Sequence, residues 1–367
     1  MKDFYKGKSV LITGHNGFKG SWLCKVLVEM GANVSGYSLK TSGIDNLYDI
    51  CGLSNQVHGI EADIRDFESL KGFFDEIKPE IVIHMAAQPI VRKSYKDPVY
   101  TYEVNVMGTV NVLECIRLSD SVKSFVNVTT DKVYLNRDLN KAFKEEEMLC
   151  GFDPYSNSKS CSELVTYAYK NSFFGGDSYL TDNGRQVAIS TCRAGNVIGG
   201  GDFAVDRIIP DCVRAVKEGK EIIIRNPSSI RPYQHVLEPL YVYLLIAMKQ
   251  YLDSSFSGCY NVGPNDKDCI TTGELVNLFC EKWNYRIKSN SLNKASWVDK
   301  SDGGPHEATF LKLDSTKARS TFSWSPCWDI ETAIDKIVDW TEAYLLGLDH
   351  NKVMDEQIKE FFSLQKD

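Results

Sequence analysis

The chain has 367 residues, with 42 Lys and Arg against 49 Asp and Glu, so its formal net charge is −7. Its 43% hydrophobic and 25% charged residues are ordinary globular values, which argue against a disordered, collagen-like or coiled-coil protein. The acidic balance disfavours broad nucleic-acid binding, and no apolar stretch approaches the about 20 residues of a membrane span. Residues 1–5 lead directly into a strand-like segment, without a signal-peptide pattern. We expect a soluble, cytoplasmic protein with no membrane partner.

The eleven cysteines and six histidines do not suggest a metal site. The cysteine count is odd, no two cysteines have Cys-x2-Cys spacing, and the histidines are scattered. We therefore expect reduced thiols that fill gaps in the core, and no bound metal.

Short apolar strands alternate with helical patterns in the first half of the chain. The strand-like segments are residues 9–13, 34–39, 57–61, 81–86, 125–129 and 187–192. One helix pattern covers residues 22–30, and a second covers 104–116 after a start signal at Pro98. This alternation predicts an α/β fold with a doubly wound parallel sheet.

The alternation ends near Gly195, where Gly- and Pro-rich segments begin. Helical patterns follow at residues 237–249 and, as the last helix, at about 330–346. We expect residues 1–194 plus about 230–258 to form a dinucleotide-binding Rossmann domain. Residues of about 195–229 plus 259–367 would form a smaller mixed domain that binds the substrate.

A glycine-rich turn follows the first strand and opens the first helix. Residues 13–20 read Thr-Gly-His-Asn-Gly-Phe-Lys-Gly, with glycines at positions 14, 17 and 20. Glycines let the backbone approach a pyrophosphate, and the helix amino end offers free N–H groups and a positive dipole. The turn predicts a dinucleotide site.

The residues after the second strand do not decide which dinucleotide binds. A carboxylate is expected there for NAD and an Arg for NADP, but the sequence gives Ser38, Leu39 and Lys40. Ser38 can hydrogen-bond a ribose hydroxyl, and Asp63 and Ile64 suit contacts to the adenine edge. NAD and NADP both remain open from this position.

Tyr155 and Lys159 are the strongest catalytic pair. They follow Asp-Pro at a helix start, and a spacing of four places both side chains on one helical face. To act as a base, the phenol needs its pKa lowered by about 3, or roughly 4 kcal/mol. An ammonium at ~4 Å supplies about that energy at an effective dielectric near 20.

A hydroxyl, a carboxyl and an amine follow the strand at 125–129. Thr130, Asp131 and Lys132 would lie at the carboxyl end of a parallel strand, where open α/β sheets place their sites. Together they could polarise, protonate and deprotonate a substrate; a solvated loop is the alternative interpretation of these three residues.

With these motifs assembled, the chain resembles the extended short-chain dehydrogenase/reductase family and, within it, the nucleotide-sugar 4,6-dehydratases that act on CDP-glucose. The segments that carry the resemblance are residues 14–23, 84–89, 130–132, 153–159, 193–202 and 231–236. The resemblance implies a lyase with tightly bound, recycled NAD, a CDP-glucose substrate and a homodimer or homotetramer packed through helices at about 99–118 and 155–173. It also implies a role in making deoxysugars for bacterial surface polysaccharide such as lipopolysaccharide O-antigen.

The resemblance assigns roles residue by residue. The implied catalytic residues are Thr130, Asp131, Lys132, Tyr155 and Lys159. The implied cofactor-binding residues are Gly14, Gly17, Phe18, Lys19, Gly20, Ser38, Asp63, Ile64, Ala86, Ala87, Gln88, Asn105, Thr129, Tyr155, Lys159 and Arg193. The implied substrate-binding residues are Gln88, Asn196, Arg207, Arg225, Arg231, Asn261 and His306.

The implied reaction has three stages. Tyr155 takes the C4 hydroxyl proton as C4 gives a hydride to NAD; water is then lost across C5 and C6, with Asp131 as acid; and hydride returns to C6. Lys132 stands where dTDP-glucose dehydratases carry Glu, so the identity of the C5 base is open. Three alternatives remain: a dehydratase of a dTDP-, GDP- or UDP-hexose; a nucleotide-sugar 4-epimerase, which does not need Asp131 and Lys132; and a non-catalytic NAD-sensing protein.

Overall fold

The computed structural model describes residues 1–41, 45–137, 141–175, 186–287, 292–300 and 310–365. The β-strands are β1 (Ser9–Thr13), β2 (Asn33–Ser38), β3 (His58–Glu61), β4 (Ile81–His84), β5 (Ser124–Val128), β6 (Ala188–Ala194), β7 (Val197–Ile198), β8 (Ile222–Ile224), β9 (Ile230–Pro232), β10 (Gln234–His235), β11 (Cys259–Val262), β12 (Cys269–Thr271) and β13 (Trp297–Asp299).

The α-helices are α1 (Lys2–Tyr5), α2 (Phe18–Glu29), α3 (Leu47–Ile50), α4 (Phe67–Ile77), α5 (Val91–Lys96), α6 (Pro98–Tyr102), α7 (Gly108–Leu118), α8 (Pro154–Tyr169), α9 (Ile208–Glu218), α10 (Leu237–Leu252), α11 (Thr272–Arg286), α12 (Thr316–Phe322), α13 (Ile330–Leu345) and α14 (His350–Leu364). A π-helical turn, Glu103–Met107, joins α6 to α7. None of these helices is long and apolar enough to cross a membrane.

Seven parallel strands form the central sheet in the order β11-β6-β5-β4-β1-β2-β3. The chain starts in the middle, winds to one edge and then crosses back to the other, as a doubly wound sheet does. Strands β1, β4 and β5 are buried along most of their length and rich in Val and Ile, which suits strands covered on both faces. The predicted fold class is confirmed.

Side chains alternate between two cores along these strands. Val10 and Ile12 of β1 point into a core shared with α2 and α10, whereas Leu11 points into a core shared with α4 and α7. This alternation is the two-residue period of a strand, and it holds helices on both faces of the sheet.

A third core belongs to the second half of the chain. It joins α9, α11 and α13 with β8 and includes Ile222, Phe279, Trp283 and Ile334. Strand β8 pairs with β13 in parallel, and β9 pairs with β12 in antiparallel fashion. These small sheets lie outside the central sheet, as the irregular sequence pattern indicates.

Two elements differ from our expectations. Strand β11 pairs with β6 as an edge of the central sheet, so that sheet extends past the boundary we expected at about residue 258. The helix at 330–345 is not the last, because α14 follows it. Met354, Ile358 and Phe361 of α14 are buried in the core that contains Val10. The last helix therefore packs with the first part of the chain.

Candidate active site

A cavity of about 790 Å³ opens at the carboxyl ends of the central strands. Its walls come from the glycine-rich turn, the end of β5, the start of α8 and the segment that includes β8 and β9. The predicted site residues among its lining are Phe18, Lys19, Ala87, Thr129, Thr130, Asp131, Lys132, Tyr155, Lys159, Asn196, Arg207, Arg225 and Arg231. The fold therefore brings most of the predicted site together.

The glycine-rich turn has the shape that a pyrophosphate requires. Gly14 has a φ of 76°, and a Cβ there would lie 2.9 Å from the Ala86 backbone nitrogen. A Cβ on Gly20 would lie 2.1 Å from the carbonyl oxygen of Gly14. Gly17 caps α2 without a side-chain hydrogen bond. The turn is closed to any larger residue at positions 14 and 20, and the amino end of α2 can receive an anion.

Helix α8 carries Tyr155 and Lys159 into the cavity. Asp153 caps the helix by accepting a hydrogen bond from the Ser156 N–H, and Pro154 occupies the first turn. Both tyrosine and lysine line the cavity, as the four-residue spacing predicts. The Lys159 Nζ donates to the carbonyl oxygen of Val128 at the end of β5, 3.2 Å away.

The ionisation of Tyr155 differs from our expectation. Burial raises its pKa to about 12, and Asp131 adds to that increase; the Thr130 hydroxyl and the Arg207 guanidinium lower the pKa. We expected the Lys159 ammonium to be the main opposing charge, but its hydrogen bond runs to the backbone of β5. Burial also lowers the pKa of Lys159 to about 8, against the Glu163 carboxylate, which raises it.

Asp131 and Lys132 lie in a short 3-10 turn directly after Thr130. Asp131 is 2% exposed, and its Oδ2 has no hydrogen-bond partner among the described residues. Burial raises its pKa, while Lys132, the Thr130 hydroxyl and Arg231 lower it. Because burial dominates, the pKa of Asp131 lies above that of a free carboxyl group. Its side chain lines the cavity beside Thr130 and Lys132.

Lys19 supplies a second amine at the cavity wall. Burial lowers its pKa to about 7, and the nearby positive charges of Arg207 and Lys159 lower it further, against Asp131. An amine with a pKa near neutrality can both hold and release a proton at physiological pH.

Four arginines line the cavity, and three of them are predicted substrate-binding residues. Arg207 pairs with Asp202 at 3.0 Å, and Arg225 pairs with Asp206 at 2.8 Å. Arg231 is 4% exposed and donates to the carbonyl oxygen of Ile230. Guanidinium groups suit bidentate contact with phosphate oxygens, so this wall can receive a diphosphate.

The residues expected at the adenosine end lie near the ends of β2 and β3. The Ser38 hydroxyl is already hydrogen-bonded to His15 Nδ1 at 2.9 Å, and burial lowers the pKa of His15 to about 4. Asp63 pairs with Arg65 at 2.8 Å. Ile64 is buried and lies against Gly108.

Three of the predicted site residues that do not line the cavity have their side-chain polar atoms bonded to other parts of the protein. The Gln88 side chain is held by Ile90 and Thr101. The Arg193 guanidinium forms a buried pair with Glu163 and further bonds to Tyr134 and Glu145. Asn261 bonds to Tyr134, Phe143 and Asp314. Direct contact of these three residues with a ligand stays a prediction, and their hydrogen bonds give each of them a supporting role in the fold. His306 lies outside the described residues.

Supporting contacts also involve Asn105, an implied cofactor-binding residue, and Glu163, which the sequence did not single out. Asn105 holds the backbone of Gln88 on both sides, through its Oδ1 at 2.8 Å and its Nδ2 at 3.1 Å. Glu163 accepts from Thr129 at 2.5 Å as well as from Arg193. Glu163 lies four residues after Lys159 on α8. This spacing, which places both side chains on one helical face, was the sequence signal that could have indicated Glu163.

A comparison with protein-family models gives the family. Residues 11–337 match the model described as GDP-mannose 4,6 dehydratase. The chain belongs to this dehydratase family. That match covers the glycine-rich turn, the end of β5, α8 and the arginine-bearing wall of the cavity.

Individual relatives narrow the comparison. The dehydratase is 44% identical over 363 residues to a CDP-glucose 4,6-dehydratase of Salmonella typhimurium, covering 99% of this chain and 98% of the relative. It is 27% identical to a dTDP-D-glucose 4,6-dehydratase of Mus musculus, covering 91% and 88%.

Solved structures share the fold. The dTDP-glucose 4,6-dehydratase of Bacillus anthracis in complex with NAD has a TM-score of 0.73 at 21% identity, covering 94% of this chain and 100% of that chain. The UDP-glucose 4-epimerase of Thermotoga maritima with UDP-glucose has a TM-score of 0.76 at 22% identity, covering 92% and 99%.

Proposed function

We propose that this dehydratase converts CDP-D-glucose to CDP-4-keto-6-deoxy-D-glucose with bound NAD. The observation that carries the proposal is the placement of Asp131, Lys132, Tyr155 and Lys159 in one cavity that four arginines also line. The full-length similarity to a CDP-glucose 4,6-dehydratase supports the choice of nucleotide.

The glycine-rich turn fits a dinucleotide. Gly14 and Gly20 let the turn pack closely against backbone atoms with which a Cβ would clash, and the amino end of α2 offers N–H groups to an anion. Phe18, Lys19, Ala87 and Thr129 would continue the contact along the cavity wall. The chemistry that NAD supplies when bound is acceptance of a hydride from C4 and its return to C6.

Tyr155 would remove the proton of the C4 hydroxyl. Its high pKa in the buried site makes it a strong proton acceptor once ionised, and Thr130 and Arg207 favour that ionised form. Lys159 would fix this end of the site through its bond to the β5 backbone.

Asp131 and Lys132 would carry the elimination. A ketone at C4 makes the C5 proton acidic, so an amine beside C5 can take it while an acid protonates the departing C6 hydroxyl. Burial raises the pKa of Asp131, which suits the role of an acid. We assign the base at C5 to Lys132, its sequence neighbour on the same cavity wall.

Arg207, Arg225 and Arg231 would bind the diphosphate of the sugar nucleotide. They come from the second half of the chain, whereas the catalytic groups come from the first. We propose on this basis that the first part holds the cofactor and the second the nucleotide sugar, with β11 and α14 packed against the first.

We also propose that the protein works in the cytoplasm, in deoxysugar synthesis for surface polysaccharide, as a homo-oligomer. Exposed apolar residues on neighbouring helices support the oligomer: Val99 of α6, Met107 of the π turn, and Leu164 and Tyr167 of α8 are 51–67% exposed.

Purified protein with NAD should form a 4-keto-6-deoxy sugar from CDP-glucose at least about tenfold more efficiently than from dTDP-, UDP- or GDP-glucose. The measurement is kcat/KM for each sugar, with the product identified by NMR. Deuterium placed at C4 should reappear at C6. A C4 epimer as the product, or equal rates on all four nucleotides, would contradict the proposal.

A further inference from the structure

The cavity continues past the arginines to a wall made by β8 and β13. Ile223 and Ile224 of β8 line this part, as does Asp299 of β13. Ile224 and Asp299 are partners in the parallel register of the two strands. Ile224 is 1% exposed and packs in the third core, so the exposed side chains of this wall are Ile223 and Asp299.

Contacts place this wall at the far end of the cavity from Tyr155. Arg207 is close enough to Tyr155 to lower its pKa. Asp206, the neighbour of Arg207 in sequence, pairs with Arg225 at 2.8 Å, and Arg225 directly follows Ile224. The order along the cavity is thus phenol, two arginines, then the β8–β13 wall. In a nucleotide sugar, the order is sugar, diphosphate, then nucleoside.

Three aspartates line the cavity near Arg225 and the β8–β13 wall: Asp206, Asp211 and Asp299. Among the described residues, only the Asp299 carboxylate is free to contact a ligand. Asp206 is held by Arg225, and Asp211 is held by Arg214 and Arg225. Asp299 is exposed and has no hydrogen bond or ion pair with any residue that the structure describes. Its carboxylate oxygens can only accept hydrogen bonds.

We propose that Asp299 selects cytosine, by accepting a hydrogen bond from the 4-amino group of the base. Uracil and thymine carry an oxygen acceptor at the same position, which a carboxylate repels, whereas an Asp that accepts from cytosine N4 is a recognised pairing. The inference rests on the proposed function, because it takes the nucleoside to lie at this end of the cavity.

The test compares CMP and UMP binding to the NAD-loaded protein by calorimetry. We expect the wild type to bind CMP at least about tenfold more tightly than UMP, in line with one hydrogen bond to a charged acceptor. In Asp299→Asn, the amide can donate to the uracil oxygen, so the ratio of the two dissociation constants should fall by about tenfold. The same variant should gain 4-keto product from UDP-glucose relative to CDP-glucose.

Asp266→Asn is the matched control. It removes the same charge from an exposed side chain outside the cavity and should leave the CMP to UMP ratio unchanged. If Asp299→Asn raises the dissociation constants of CMP and UMP equally, the carboxylate contacts the ribose. If it changes neither dissociation constant, the carboxylate contacts neither the base nor the ribose. Either result overturns the inference but leaves the dehydratase proposal intact, whereas a wild type that makes no keto sugar overturns that proposal itself.

Discussion

Tyr155 lies in an environment that opposes its own ionisation. Burial and Asp131 raise its pKa, whereas Thr130 and Arg207 lower it, so the phenolate depends on two neighbours from different parts of the chain. Because Arg207 belongs to the wall that would hold the diphosphate, proton removal by Tyr155 depends on a charge in that wall. A substrate bound at Arg207 and a base at Tyr155 are therefore coupled through charge.

Tyr155→Phe should reduce kcat at least about 100-fold, the lower range for loss of a general base. Substrate affinity should change less than about threefold, because the ring and the arginines remain. Steady-state rates with CDP-glucose and calorimetric binding of the same sugar nucleotide provide the two measurements.

Tyr285→Phe, at an exposed position on α11, is the control for loss of a phenol and should match the wild type. A Tyr155→Phe protein that keeps near-normal turnover would exclude Tyr155 as the base.

The sequence predicts the position of a site residue best when its partners lie close to it in sequence. Tyr155 and Lys159 could be placed together from one helical spacing, and Thr130 from its position after a strand. Arg193 and Asn261 could not be assigned correctly, because their partners Glu145, Phe143 and Asp314 lie distant in sequence. A motif shows that a polar residue is present, but it does not show which group forms hydrogen bonds with that residue.

At the scale of elements, a buried polar chain joins the central sheet to two helices. His84 of β4 bonds through Nδ1 to Thr13 of β1 at 2.7 Å and through Nε2 to Thr109 of α7 at 3.2 Å. Thr109 also contacts Ser162 of α8. Burial lowers the pKa of His84 to about 3, and the Lys159 charge lowers it further. This series of hydrogen bonds thus joins β1, β4, α7 and α8, and the His84 imidazole within it is neutral.

This pKa predicts how stability depends on pH. Between about 3 and 6.5 the unfolded state binds more protons at His84 than the folded state does, so folding stability rises with pH across this window and falls on acidification. His84→Gln should flatten the dependence by up to about 1.4 kcal/mol per pH unit. The measurement is urea denaturation at several pH values.

Exposed His58→Gln is the control, since its side chain is 56% exposed. An equal pH slope in the wild type and in His84→Gln would contradict the assignment.

At the scale of the whole molecule, the exposed apolar residues of α6 to α8 predict self-association. Leu164→Arg should convert an oligomer to a monomer of 41.4 kDa, because a buried unpaired charge is costly at an interface. Light scattering after size-exclusion chromatography gives the mass.

Leu252→Arg is the control, since Leu252 of α10 is 69% exposed on another face of the chain. This variant should keep the wild-type mass. A wild type that is monomeric, or two variants with equal masses, would contradict the prediction.

The sequence pattern predicted the central sheet well, because its strands are short, apolar and separated by clear helix signals. The pattern did not predict β11 or α14. Strand β11 lies in the irregular second half of the chain, and α14 combines many charged residues with three buried apolar ones. Their positions depend on docking against β6 and the first core, which a local pattern cannot express.

The packing of α14 has a consequence for how the protein reaches its folded state in the cell. Phe361 shares a core with Val10, so one face of the central sheet lacks a part of its cover until α14 has been synthesised. The nascent chain exposes apolar surface during that interval, and such surface recruits chaperones or promotes aggregation. The core that contains Val10 is therefore completed about 350 residues after its first strand has been made.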